Sequence, residues 1–76
     1  MFCVEARAMY GYESVSPFGR QWEPVTFDPS ESMTDSLDEA IADIRVLWDF
    51  DRENGANDSM YRVRRLSDQC IVFSKG

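Results

Sequence analysis

The sequence predicts an α+β fold: a four-stranded antiparallel sheet with one helix packed on one face, in the order β-β-α-β-β. Three observations predict it. Phe2 to Tyr10 alternates with period two. Leu37, Ala40, Ile41, Ile44, Leu47 and Trp48 recur at helical spacing. Two further strand-like runs, Ser59 to Leu66 and Cys70 to Ser74, flank a short polar turn. The 76 residues make one domain, 1–76. A chain of this size buries only ~60% of the surface its unfolded form exposes, so one helix laid on one sheet is the economical core.

In the first strand, Phe2, Val4, Ala6, Ala8 and Tyr10 share a face, with Cys3, Glu5, Arg7 and Met9 on the other. A strand end and a long loop are expected over residues 11–19. A second strand at about Gln21 to Phe27 is interrupted by Pro24, which lacks a ladder donor and so belongs at a sheet edge. Asp28-Pro29-Ser30-Glu31-Ser32 ends it and leads into the helix. Ser36 fits the N-cap of a capping box, with Glu39 reaching back from the third helical position; Ser32 and Thr34 are alternative caps. The apolar stripe, continued, would point Asp51 into the core, so the helix is expected to stop near Phe50 to Arg52, and Asn54-Gly55 suits a helix end. After a tight turn at Ser67-Asp68-Gln69, the last strand sets either Val72 or Phe73 against Val63 and Tyr61, depending on register.

Charge is distributed unevenly. Between Asp28 and Asp58 stand ten carboxylates and two arginines, Arg45 and Arg52, while the rest of the chain is mildly positive and the whole carries −6. A concentrated negative face repels nucleic acid and membrane headgroups and attracts basic protein surfaces. No run approaches ~18 consecutive apolar residues, which excludes a transmembrane helix. The opening Met1-Phe2-Cys3-Val4-Glu5 lacks a basic leader, so a cytoplasmic protein is expected. Cys3 and Cys70 are expected as free thiols in that compartment; a disulfide would require neighbouring terminal strands.

Chemistry is sparse. Without histidine, the usual nucleophile-base pairs and most zinc sites are missing, and no Gly-rich phosphate loop is present. Residues 49–55 approximate a calcium loop, but the required glycine is displaced by one and Met60 stands where the bidentate Glu belongs. No enzyme activity, cofactor or metal is therefore expected.

Two surfaces remain. On a helix set out at ~100° per residue with Ile44 inward, Asp38, Glu39, Asp43, Asp49 and Glu53 span the outward half, and Val46 and Phe50 fall among them one turn apart. An apolar pair ringed by carboxylates suits protein binding, with charge guiding the encounter. The second surface gathers Tyr10, Tyr12, Phe18, Arg20 and Trp22 near the first hairpin with Arg62, Arg64 and Arg65 of the third strand. Such a set could stack single-stranded bases, or its arginines could pair with neighbouring acids.

In size, charge and element order the chain resembles the small phage and mobile-element inhibitors called anti-CRISPR proteins. The resemblance implies a non-enzymatic inhibitor that occupies a basic, nucleic-acid-binding surface of a partner, such as a CRISPR-Cas complex, in some cases by imitating DNA charge. It assigns no residue roles, and direct nucleic-acid or membrane binding is not expected. The alternatives are a small dimeric regulatory or antitoxin-like module, and a single-stranded nucleic-acid binder using the Tyr/Trp/Arg cluster.

Overall fold

The structure, a computed structural model, describes residues 1–8, 21–26, 28–55 and 59–75. It is α+β: strand β1 (Phe2–Ala8), the two-residue strands β2 (Glu23–Pro24) and β3 (Met33–Thr34), helix α1 (Leu37–Glu53), and strands β4 (Ser59–Arg65) and β5 (Ile71–Lys75). Among the described residues the sheet has five strands, where four were expected, in the order β2-β1-β4-β5, with β3 also paired to β1. The extra strand comes from the edge. β2 pairs antiparallel with Glu5 and Ala6, and β3 pairs antiparallel with Phe2 and Cys3. The two pieces therefore act as one edge strand that the chain leaves after Pro24 and rejoins at Met33. Proline at the edge matches the expectation from its missing donor, but of the strand expected from Gln21 to Phe27 only Glu23 and Pro24 are strand among the described residues, Phe27 lying outside them.

The excursion has its own hydrogen bonds. Val25 N–H still donates to Val4 O at 3.2 Å. A short 3-10 helix (Pro29–Ser32) is then capped by Asp28, whose Oδ1 accepts from Ser30 N and Ser30 Oγ at 3.0 and 2.9 Å. Ser32 Oγ, buried, accepts from Thr26 N at 3.0 Å and also bonds the Thr26 hydroxyl, drawing the two ends together.

The core lies between β1, β4 and α1, built from Val4, Ala6, Ala40, Ile44, Tyr61 and Val63. Both faces of β1 are covered: Cys3 and Glu5 are buried as well as Val4, Ala6 and Ala8. Ser36 is the N-cap, accepting from Glu39 N–H at 3.3 Å. The box closes differently from expectation. The Glu39 carboxylate accepts from the Thr34 hydroxyl at 2.9 Å, and that same hydroxyl accepts from Ser36 N–H at 3.2 Å. Thr34 is held in place by β3 pairing and so relays the second half of the cap.

At its other end the helix closes at Glu53, one residue past the expected range, but the burial of Asp51 does not end it. Asp51 is buried, and its Oδ2 accepts the Tyr61 hydroxyl. A tyrosine carries a polar tip on an apolar body, so a carboxylate on the core stripe is satisfied without ending the helix. The chain turns at Asn54 and at Gly55, whose φ of +81° is the left-handed conformation that only glycine adopts without cost. In the β4–β5 pair, Val63 faces Phe73 and Arg64 faces Ile71, with an irregularity between Val63 and Arg64. The extra residue lets both Val72 and Phe73 pack against the core, so the expected choice between them does not arise. Because β4 separates β1 from β5, the terminal strands are not neighbours; both thiols are free, Cys3 buried and Cys70 exposed. Among the described residues, no helix is long and apolar enough to cross a membrane.

Candidate protein-binding face

The helix positions its outer side chains by the same periodicity that buries Ala40 and Ile44. Asp38, Glu39, Asp43, Asp49 and Glu53 are all exposed. Val46 and Phe50 are exposed by 69% and 62%, unusually open for large apolar side chains on an otherwise polar arc. Among the described residues, Asp38, Asp43, Asp49 and Glu53 make no hydrogen bond or ion pair, so their charge is free to act outward. Glu39 differs: its carboxylate is committed to Thr34 at the cap.

One flank of the helix is cationic. The Arg52 guanidinium lies 3.6 Å from the Trp48 ring centroid and Lys75 Nζ lies 4.9 Å from it, while Trp48 meets Tyr61 edge-on at 6.5 Å. Arg52 also donates to Ser59 O at 3.2 Å. The negative arc is thus bounded on the β5 side.

The opposite sheet face collects part of the second surface. Trp22 is half-buried, with Arg62 4.3 Å and Arg7 5.6 Å from its ring centroid. Glu5 sits beneath them and accepts from Arg62 Nε at 2.8 Å and Arg64 Nε at 3.3 Å. Arg65 turns away to grip Asp68 at 2.7 Å in the β4–β5 turn. Tyr10, Tyr12, Phe18 and Arg20 lie outside the described residues.

The sequence reading missed Glu5 and Arg7 as members of this cluster. Glu5 stands directly across from Arg62 in the β1–β4 register, a signal that appears only once the strands are paired. Burial raises the Cys3 thiol above its ordinary pKa, with Glu5 beside it adding to the rise and Arg64 opposing it. Among the described residues, no group of three His, Cys, Asp or Glu side chains is placed to hold a metal ion.

Comparison of the chain with protein-family models, with curated proteins and with solved structures found no match in any of the three.

Proposed function

We propose that the chain is a non-enzymatic inhibitor that binds a basic, nucleic-acid-binding protein surface through the outer arc of α1. The observation that carries this reading is the exposure of Val46 and Phe50, one helical turn apart, among the carboxylates of Asp38, Asp43, Asp49 and Glu53, which make no ion pair among the described residues. Free carboxylates raise the encounter rate with a cationic groove, and a desolvated aromatic anchor slows release. A CRISPR-Cas complex, bound in the manner of an anti-CRISPR DNA mimic, is one partner that suits this combination, and a host transcription or repair protein with a basic groove suits it equally. On the other sheet face, Glu5 engages two of the arginines that a single-strand nucleic-acid binder would need, which weighs against that alternative. The dimeric-module alternative predicts a molecular mass twice that of the chain by light scattering.

The test is displacement. The chain is added to a panel of CRISPR-Cas complexes bound to labelled target DNA, and DNA release is measured at low and high salt. Release that weakens with salt, and is lost in Asp38→Lys/Asp49→Lys/Glu53→Lys with the fold retained, is the expected result. Undiminished release by the charge-reversed variant would refute the acidic-arc reading.

A further inference from the structure

The interrupted edge strand leaves a groove. Where the chain departs between β2 and β3, the bond from Val25 N–H to Val4 O is the last before the excursion among the described residues, and a cavity of about 270 Å³ opens between the excursion and α1. Its walls are Val25, Thr26 and Ser32 from the excursion and Leu47 and Val46 from the helix, with Val4 as the floor. Val4 is 2% exposed, so the floor is deep and apolar. Two exposed acids complete the lining, Glu31 from the 3-10 helix and Asp43 from α1. Among the described residues, neither carboxylate makes a hydrogen bond or ion pair. The groove includes the exposed Val46 and so adjoins the acidic arc.

We propose that this groove receives a single arginine side chain projecting from a protein partner. Its stem would lie on Val4, Val25 and Leu47, and its guanidinium would sit between Glu31 and Asp43. The inference rests on the proposed function, to which it adds the chemistry of one partner residue. Charge complementarity selects the occupant. A purely apolar ligand would leave two acids facing it, and a bare metal ion would meet an apolar floor with only two carboxylates. An arginine has an apolar stem and a planar, five-donor head suited to carboxylates, so it meets both halves of the lining. The hydroxyls of Thr26 and Ser32 are already bonded to each other, which leaves the acids as the recognising groups.

The experiment is a titration of the ¹⁵N-labelled chain with N-acetyl-arginine N-methylamide at about 0.15 M salt, followed by amide shifts. The norleucine analogue, with a similar stem and no charge, is titrated alongside. Saturable shifts at Val25, Thr26, Glu31, Ser32, Asp43, Val46 and Leu47 are expected with the arginine probe and not with norleucine. Affinity should fall about tenfold in Glu31→Gln/Asp43→Asn, corresponding to the loss of a charge-assisted contact, and should not change in Asp38→Asn/Glu53→Gln. The proposal is overturned by shifts spread evenly over the helix acids without saturation, by equal binding of norleucine, or by no saturable shift in the groove. Since no partner is present, failure here leaves the displacement result standing. Conversely, loss of displacement with intact arginine binding would reject the inhibitor reading and keep the groove.

Discussion

The Tyr61 hydroxyl donates to the Asp51 carboxylate inside the core, joining the last turn of α1 to the middle of β4. Tyr61 is fully buried and Asp51 is 4% exposed, so neither group has water as a substitute partner. This one bond lets a 17-residue helix carry an acid on its apolar stripe and still pack against the sheet along its length. It also holds the helix end from which Phe50 projects.

Tyr61→Phe removes the donor and leaves the buried carboxylate without it. The expected loss is about 2–3 kcal/mol of unfolding free energy, read from the urea midpoint at constant slope. Tyr61→Phe/Asp51→Leu, which removes both polar partners, should lose less than the sum of the single changes. Full additivity would show that the two groups do not interact.

The same pair predicts an alkaline limit. Burial foremost, and then the bond to Asp51, push the Tyr61 hydroxyl well above its ordinary value of 10.0. The folded state therefore favours the neutral phenol. Its contribution is complete below about pH 10 and is lost as pH rises beyond that toward the folded value. Cys3 acts in the same direction from its ordinary value of 9.0. Urea midpoints should decline above about pH 9–10, less steeply in Cys3→Ala and in Tyr61→Phe. A flat profile to pH 11 would contradict this linkage.

Glu5 holds Arg62 and Arg64 together on the outer sheet face. Glu5→Gln should cost about 2 kcal/mol, because the carboxylate is nearly buried while its partners retain some water. It should also release positive charge beside Arg7 and Trp22. Heparin retention that increases in Glu5→Gln is the expected readout, and unchanged retention would mean the arginines find other acids.

Phe50 and Val46 are exposed, so Phe50→Ala and Val46→Ala should shift stability by no more than about 0.5 kcal/mol. Partner binding should weaken by about 1–2 kcal/mol or more for Phe50. A large fall in thermal midpoint for either variant would assign that side chain to packing instead of contact.

The local features were legible in the sequence wherever one residue's neighbours along the chain decide its fate. The alternation from Phe2 to Ala8, the Ser36 cap, the inward Ala40 and Ile44, the outward Val46 and Phe50, and the turn at Gly55 all follow from periodicity or backbone preference. Asp51 was misjudged for a physical reason. The cost of burying an acid depends on whether a donor stands opposite, and Tyr61 is ten residues away in another element. Glu39 was likewise assigned to the Ser36 N–H, although β3 pairing brings the Thr34 hydroxyl within its reach.

By itself the sequence determined the α+β composition, helix α1 and the concentration of acids on its outward arc, because these depend on spacing of a few residues. Only the tertiary structure decided that β2 and β3 form one broken edge along β1, that Glu5 gathers the arginines, and that Val4 lies at the bottom of a groove lined by Glu31 and Asp43. Those relations join residues far apart in the chain. Their energies exist only after strand pairing has set which side chains face each other.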